Sequence, residues 1–542
     1  MNYSRNNNAA MFSHLFISSD TAGNSFVYDG NGNVTAVKDI TNAQAAAEYD
    51  SFDNLLSYVQ PGGNYDEKYL FTYGRTEADK KRHLPLTAET PCGVKTATEY
   101  DAYGNAISST ILQNADSEFI RTETGYTENG NYVHAQTDAR GNTVTNSVDA
   151  NGKVMSVTDP AGNQVGYQYD ASNRVTEVTA QNNGTAVRNA YTYENDRIKT
   201  VAHNTTGDSC DVRYTFNYDA LGRKTSVTVS NGSEGTTEQP LSTNIYSADR
   251  KGRLEEVQYG NGGKVAYEYD EFDRVTGIKH DAATEPRFTT EYDAQGRVAK
   301  VTDTADGSTI SSEYDLTDRP ISSEQRSGNG EVVYRTHIKY DAKSRVSSVT
   351  EKTAAEEHKS EYTYDADNHV TQVKYNGSDS TKVAYTYDNL NRVTNRTVIN
   401  GMSYSTAYSY VPGSTANSTT PLIQSITQGS GANAFNFSYT YDNRGNITSE
   451  TRNGVTVSYE YDHIGQLTRV NDPNDKTADD NGTTWLYTYN RGGNILSKAA
   501  YVYTTGTVGT AVRVWPYVYG DSNWKDKLRW THHNLRCYRQ SP

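Results

Sequence analysis

Residues 265–280 read VAYEYDEFDRVTGIKH, and a similar phrase, FTTEYDAQGRVAKVTD, follows at residues 288–303. Each phrase holds a Tyr-Asp pair, a short polar gap, an arginine and then spaced β-branched residues. The phrase recurs every 22 to 26 residues through the middle of the chain. A fixed period of 20–50 residues is the sequence sign of a repeat array such as a solenoid, a propeller or a spiral ribbon.

The Tyr-Asp phrase, called the signature below, is found along most of the chain. Degenerate copies occur at Tyr193, Tyr246 and Tyr489, and VDANGKVMSV (148–157) keeps everything but the tyrosine. The signature residues that we predict to be structural are Tyr28, Asp29, Tyr49, Asp50, Tyr100, Asp101, Gly104, Tyr169, Asp170, Tyr218, Asp219, Gly222, Tyr269, Asp270, Tyr292, Asp293, Gly296, Tyr314, Asp315, Tyr340, Asp341, Tyr364, Asp365, Tyr387, Asp388, Tyr441, Asp442, Gly445, Tyr461, Asp462 and Gly465.

Each signature predicts a β-hairpin. In YEYD, Tyr267 and Tyr269 share one side of an extended strand and Glu268 faces the other side. Asp270 ends the strand, because a short carboxylate accepts hydrogen bonds from backbone N–H groups two residues on and starts a turn. Gly, Asn or Asp follows in the turn, as at Gly296, and these residues tolerate the positive φ that hairpin turns require.

The second strand of each hairpin has an unusual apolar spacing. Val34 and Val37, like Val298 and Val301, are three residues apart, whereas a regular strand has a period of two. A helix would fit that spacing, but β-branched residues directly after a tight turn disfavour one. We therefore expect a β-bulge, in which one extra residue resets the facing of the strand. We also expect the tyrosines to stack from strand to strand.

Composition and charge limit the classes of protein. Hydrophobic residues are 34% of the chain and 44 of the 542 residues are tyrosine, which favours thin sheets with one wet side over a thick aliphatic core. The net charge of −15 argues against a nucleic-acid partner, since phosphate binding depends on clustered Lys and Arg. Cys92, Cys210 and Cys537 are too few and too scattered for a disulfide framework. The sequence shows neither a signal peptide nor a membrane span.

The signature Tyr-Asp-x-x-Gly-Asn/Arg followed by spaced Val, Leu or Ile resembles the YD repeat of the rearrangement hotspot (RHS) family, over roughly residues 25–528. That family includes bacterial polymorphic toxins, shell-forming subunits of insecticidal toxin complexes, cell-wall-associated proteins and teneurins. The resemblance implies an all-β fold in which tandem hairpins form a long β-sheet ribbon that spirals into a hollow shell. In toxin members the shell encloses a C-terminal effector, and the proteins are secreted or lie at the cell surface.

The chain departs from the family at the core-end motif, which is of the Asp-Pro-x-Gly-Leu type. The Asp-Pro pairs here lie in DPAGN (159–163) and DPND (472–475), and neither continues in the family pattern. We therefore assign no cleavage residues. We divide the chain into an irregular N-terminal segment (1–24), the repeat shell (25–528) and a tail (529–542).

The tail at residues 529–542, RWTHHNLRCYRQSP, does not continue the repeat. One freely chosen back-translation, shifted by one nucleotide, reads Asp-Gly-His-Ile-Thr-Thr-Tyr-Asp-Ala-Ile-Gly-Asn-Pro, which is another signature. We interpret the tail as out of frame, which makes the chain a truncated product that lacks the rest of the shell and its effector. His532, His533 and Cys537 match no standard zinc spacing.

Other candidate sites are weak. DGNGNVTAVKDI (29–40) lacks two required positions of a calcium loop, and NDPNDKTADDNG (471–482) is acidic enough only for weak cation binding. GNGGKV (260–265) lacks the end of a phosphate loop. We expect no cofactor, no metal and no catalytic residues. The leading interpretation is a non-catalytic shell segment; the alternative is a cell-surface adhesion or carbohydrate-binding protein on the same scaffold, with glycans as partners.

Overall fold

The computed structural model describes residues 2–4, 16–21, 23–64, 66–113, 117–204, 210–232, 237–249, 252–377, 381–400, 402–429, 431, 434–519, 521, 524 and 526–528. The prediction of an all-β repeat protein is confirmed. Almost every ordered segment is a β-strand, and successive strands pair antiparallel through short turns.

The strands of the first half of the chain are β1 (Asn2–Ser4), β2 (Phe16–Ser19), β3 (Ser25–Tyr28), β4 (Val34–Lys38), β5 (Gln44–Tyr49), β6 (Leu55–Val59), β7 (Tyr69–Thr72), β8 (Thr87–Glu89), β9 (Lys95–Tyr100), β10 (Ala106–Leu112), β11 (Phe119–Tyr126), β12 (Val133–Thr137), β13 (Thr143–Val148), β14 (Val154–Thr158), β15 (Gln164–Tyr169), β16 (Val175–Asn182), β17 (Thr185–Glu194), β18 (Arg197–His203), β19 (Val212–Tyr218), β20 (Lys224–Ser230), β21 (Gln239–Tyr246), β22 (Leu254–Tyr259), β23 (Lys264–Tyr269) and β24 (Val275–His280). One helical turn, α1 (Glu77–Lys80), lies between β7 and β8.

The second half contains β25 (Phe288–Tyr292), β26 (Val298–Asp303), β27 (Thr309–Tyr314), β28 (Pro320–Arg326), β29 (Val332–Tyr340), β30 (Val346–Thr353), β31 (Glu357–Tyr364), β32 (Val370–Tyr375), β33 (Thr381–Tyr387), β34 (Val393–Asn400), β35 (Met402–Pro412), β36 (Thr419–Gln428), β37 (Phe435–Tyr441), β38 (Ile447–Arg452), β39 (Val455–Tyr461), β40 (Leu467–Asp472), β41 (Thr483–Tyr489), β42 (Ile495–Val502) and β43 (Arg513–Pro516).

The chain divides into two units, each made of two separate strips of hairpins. Unit 1 combines strip 1a (Met1–Asn142) with strip 1b (Pro286–Phe435). Unit 2 combines strip 2a (Thr143–Glu285) with strip 2b (Asn436–Pro542). Each unit therefore brings together repeats that are far apart in sequence.

The expected bulge is present and explains the apolar spacing. Tyr28 of β3 opposes Val34 of β4, and Phe26 opposes Val37, with a register shift just before Tyr28. Thr35 is the extra residue, so valines three apart both face the side that carries the two aromatic rings. The same shift precedes Tyr49, Tyr169, Tyr193, Tyr218, Tyr246, Tyr269, Tyr292, Tyr314, Tyr340, Tyr364, Tyr387, Tyr441, Tyr461 and Tyr489.

The hairpins do not surround a thick core. Most strand residues are half-buried on both sides of the sheet. The buried hydrophobic side chains among the described residues are Ala45, Val59, Val94, Ala139, Ala202, Cys210, Val212, Val229, Leu390, Val457, Trp485, Ala499 and Ala500. A single hairpin is marginal in water, so contacts between neighbouring hairpins must carry much of the stability.

The N-terminal segment differs from the expectation, and the tail falls outside the described residues. Residues 1–24 are not wholly irregular, since β1 pairs antiparallel with β2 and so satisfies backbone groups that a loop would leave to water. The charged segment 77–83 begins with α1, which Thr76 caps through a reciprocal pair of hydrogen bonds with Asp79. The tail at 529–542 lies outside the described residues, so its interpretation stays a prediction, as do the domain boundaries.

Candidate functional site

Each signature turn is organised by its aspartate. Asp270 Oδ1 accepts hydrogen bonds from the backbone N–H groups of Phe272 and Arg274 at 2.9 and 3.0 Å. The Asp270 amide donates to the Arg274 carbonyl at 3.0 Å, and the Asp273 amide donates back to the Asp270 carbonyl at 3.2 Å. Asp273 has a φ of +65°, the conformation that Gly, Asn or Asp supplies at this place in the repeat. The expected turn mechanism is confirmed.

An arginine at the end of the turn neutralises the aspartate. Arg274 donates through Nε to Asp270 Oδ2 at 2.6 Å, and Arg319 does the same to Asp315 at 2.7 Å. Burial alone would raise the pKa of Asp315, but hydrogen bonds from Arg319 and Thr317 outweigh burial and lower that pKa to about 2. The same pairing holds Asp170, Asp219, Asp293, Asp341 and Asp388.

The signature tyrosine ties its hairpin to the preceding one. The Tyr364 hydroxyl donates to the carbonyl of Val346 at 2.7 Å. Val346 is the first residue of β30, and the ladder between β30 and β31 begins only at Ser348, so the bulge leaves that carbonyl for the hydroxyl. The same bond is made by Tyr49, Tyr100, Tyr169, Tyr193, Tyr218, Tyr246, Tyr269, Tyr314, Tyr340, Tyr387, Tyr410, Tyr461 and Tyr489.

Arginine guanidinium groups also link each hairpin to the next one. Arg319 lies over the ring of Tyr340, 4.3 Å from its centroid, and Arg345 lies 4.4 Å from that of Tyr364. Arg297 also reaches the next turn, where Nη1 donates to Asp318 Oδ1 at 2.6 Å. At these positions a cation covers the ring, so the expectation of tyrosine-on-tyrosine stacking was wrong there. Where the turn ends in arginine, neighbouring turns are thus linked by Asp, Arg and Tyr. We call the row of signature turns in each strip the signature edge.

The opposite ends of the strands form the return edge, made of the turns that join one hairpin to the next. In unit 1 the signature edge of strip 1b lies against the return edge of strip 1a. Asp367 accepts from Thr90 Oγ1 at 2.6 Å and from the Cys92 amide at 2.9 Å, across separations of 277 and 275 residues. Lys343 pairs with Glu67, and its side chain is only 8% exposed.

Further contacts in unit 1 extend this edge-to-edge arrangement. Arg392 pairs with Glu118 at 3.2 Å. The backbone of the two strips also bonds directly, because the Phe119 amide donates to the Asn417 carbonyl at 3.1 Å. Gly62, with a φ of +69°, lets the two strips approach closely: a Cβ there would lie 1.8 Å from the Ala342 carbonyl oxygen.

Unit 2 has the same arrangement between strips 2a and 2b. Asn443 Nδ2 donates to the Pro160 carbonyl at 2.8 Å, across 283 residues. Asn182 Nδ2 donates to Asp462 Oδ2 at 2.9 Å, across 280 residues. The first of these contacts involves the turn DPAGN (159–163), whose Asp-Pro pair was compared above with the core-end motif. This turn lies at the return edge of strip 2a and contacts strip 2b.

The weaker candidate sites form no ligand cluster. The loop 471–482 folds on itself, with Asp475 accepting from Trp485 Nε1 at 2.8 Å and from Thr483. Asp29 accepts hydrogen bonds from the backbone N–H groups of Asn31 and Asn33 within its own turn. Over the described residues no group of His, Cys, Asp and Glu is arranged to hold a metal ion. In the same part of the chain, no helix is long and apolar enough to cross a membrane.

Comparisons with known proteins agree with this architecture. The RHS Repeat family model matches residues 148–186 and 441–477, and the Teneurin YD-shell model matches residues 299–411. Together with the signature and its hairpins, these matches show that parts of the chain are similar to RHS and YD-shell repeats. No curated protein sequence matches the chain.

Two solved structures share the fold. The crystal structure of TcdB2-TccC3-TEV matches with a TM-score of 0.51 and 14% identity, over 89% of this chain and 28% of that chain. The crystal structure of TcdB2-TccC3 matches with a TM-score of 0.51 and 13% identity, over 91% of this chain and 33% of that chain. The chain therefore spans about a third or less of these proteins.

Proposed function

We propose that this chain forms part of the wall of an RHS-type shell and that, in the intact protein, the wall encloses a C-terminal effector polypeptide. The observation that carries the proposal is the edge-to-edge contact in both units between strips about 280 residues apart. A ribbon whose later repeats bind its earlier repeats covers an area with few free strand edges.

The hydrogen bonds of the signature side chains also support a structural role. The signature carboxylates are engaged by turn amides and by arginines, and the signature hydroxyls are engaged by backbone carbonyls. These groups stiffen the sheet and are not presented to a substrate. The proposed site of action is the cell surface or the outside of the cell, as for toxin and teneurin relatives.

Protection of a fused cargo tests the enclosure. A protease-sensitive, unfolded reporter of about 100 residues is joined to the C-terminus of the full chain, and the rate of its cleavage is compared with that of the same reporter added as a separate polypeptide. The proposal predicts slower cleavage of the fused reporter. Equal rates, with the shell itself intact by gel, would refute enclosure by this part of the wall.

A variant control separates enclosure from simple tethering. Gly62→Ala disturbs the contact between strips 1a and 1b, whereas Gly330→Ala lies at a similar φ of +86° with open space around it. Protection is expected to fall in the first variant and to persist in the second. The carbohydrate-binding alternative stays a prediction.

A further inference from the structure

The residue two places after the signature aspartate, called the tip below, makes the contact between strips. The tips Lys343 and Asp367 pair with strip 1a, as described above, and Arg444 lies 3.9 Å from Asp159 of strip 2a. Leu390 is the next tip in strip 1b, and it is only 8% exposed. These four tips of the later strips are therefore buried or paired, whereas Ile464 of strip 2b is 38% exposed.

Several tips of the earlier strips occupy the same place in the repeat and are uncovered. In strip 2a, Leu221 is 76% exposed and Phe272 is 70% exposed. In strip 1a, Tyr103 is 67% exposed. A leucine that is buried at the signature edge of strip 1b thus has an exposed counterpart at the signature edge of strip 2a, which also carries the exposed ring of Phe272. Exposed apolar side chains that share one edge are a mark of an interaction surface.

The surface beside Leu221 is shaped as well as apolar. A groove of about 360 Å³ lies between neighbouring signature turns and is lined by Glu194, Asn195, Arg197, Tyr218 and Leu221. Arg197 packs against Gly222, where a Cβ would lie 2.1 Å from its Nη2 atom. The groove therefore offers backbone, amide and guanidinium groups next to an apolar tip, as do the covered turns.

The complementary kind of surface is also uncovered in the same chain. Covered tips bind return turns, which supply hydroxyl and backbone groups such as Thr90 Oγ1 and the Cys92 amide. The return turns of strip 1b, at residues 328–331 and 354–356, are exposed. One molecule thus carries both halves of a contact that it already makes within itself.

We propose that the signature edge of strip 2a, with Leu221 and Phe272 at its centre, binds the exposed return edge of a second copy of this chain. The contact is head-to-tail, because it joins two different surfaces, and so it leaves a free surface of each kind on the pair. Further copies can add through the same contact, so assemblies larger than a dimer form. This inference rests on the strip contacts and does not depend on the proposed enclosure of an effector.

Sedimentation velocity on the full chain over a concentration series tests the proposal. The average mass is expected to rise with concentration beyond twice the 60.0 kDa of the monomer. The double variant Leu221→Asp/Phe272→Asp places two charges in the contact and is expected to weaken association more than about tenfold. Val512→Asp, at a site that is 51% exposed and away from the signature turns, is the matched control and is expected to associate like the parent chain.

Three outcomes would overturn the proposal. A parent chain that stays monomeric at all concentrations has no such contact. A closed dimer that never grows means that two identical surfaces meet. Equal association by the double variant and the parent chain means that these tips are not involved. Circular dichroism of the double variant checks that the variant is folded. Leu390→Asp changes a covered tip and is expected to lower the stability of the chain, with no effect on association.

Discussion

Removal of the hydroxyl of one signature tyrosine tests how neighbouring hairpins of the sheet are held together. In Tyr364→Phe the ring stays in place, but the hydrogen bond of 2.7 Å to the Val346 carbonyl is lost. That carbonyl lies outside the strand ladder on the side of β31. An intramolecular hydrogen bond contributes about 1 kcal/mol net, and a buried group left without a partner costs about 1–3 kcal/mol.

The expected effect is local, because a long repeat array does not unfold as one two-state unit. A loss of about 1 kcal/mol raises the local opening equilibrium about fivefold, so amides of β30 and β31 are expected to exchange about five times faster. Hydrogen exchange followed by mass spectrometry on peptides that cover residues 340–365 measures this change.

Tyr362→Phe is the matched control. Tyr362 lies two residues earlier in the same strand and is half-buried like Tyr364, but its hydroxyl makes no hydrogen bond to the described residues. Exchange in this variant is expected to equal that of the parent chain. Equal acceleration in both variants, or none in Tyr364→Phe, would refute the role given to the signature hydroxyl.

Three further predictions concern the turns and the strip contacts. The pKa of Asp315 is about 2 in the folded chain against 3.8 for an ordinary aspartate, so its stabilisation is present above about pH 4 and is lost as the pH falls toward 2. Asp315→Asn is therefore expected to lower the thermal midpoint at pH 7, with a difference that shrinks from pH 5 to pH 3; a difference independent of pH would contradict the assignment. Gly62→Ala is expected to speed trypsin cleavage at Lys343, because its Cβ clashes with the Ala342 carbonyl, while Gly330→Ala is not; identical digestion patterns would show that the strips do not meet there. A double-mutant cycle of Glu67→Gln and Lys343→Met, read by the local opening free energy from hydrogen exchange around Lys343, is expected to give a coupling of about 1 kcal/mol, and a coupling near zero would mean that the ion pair is not formed.

The sequence predicted the hairpin in detail because its determinants are local. The turn needs an aspartate with a residue of positive φ three places on, and the bulge shows itself in valines three apart; each signal lies within ten residues. The tyrosine hydroxyl bond was missed because it depends on a carbonyl 14 or more residues earlier. The sequence contained its signal, since the bulge implies a carbonyl outside the ladder.

The contacts between strips could not be predicted from the sequence. They join residues 274 to 312 positions apart, and the tips that make some of them are chemically unlike one another. Lys343, Asp367 and Leu390 share a position in the repeat but no side-chain property, so no pattern marks them. Only the placement of one strip beside another gives each tip its partner.

The most direct test of the account is an experimental map of the full chain at a resolution that shows side chains. We expect successive hairpins to pair in sequence order, with the hydroxyls of the tyrosines named above, such as Tyr269 and Tyr364, within about 3.2 Å of a backbone carbonyl of the preceding hairpin. Hairpins that pair out of sequence order, or tyrosine hydroxyls that point into water, would contradict it.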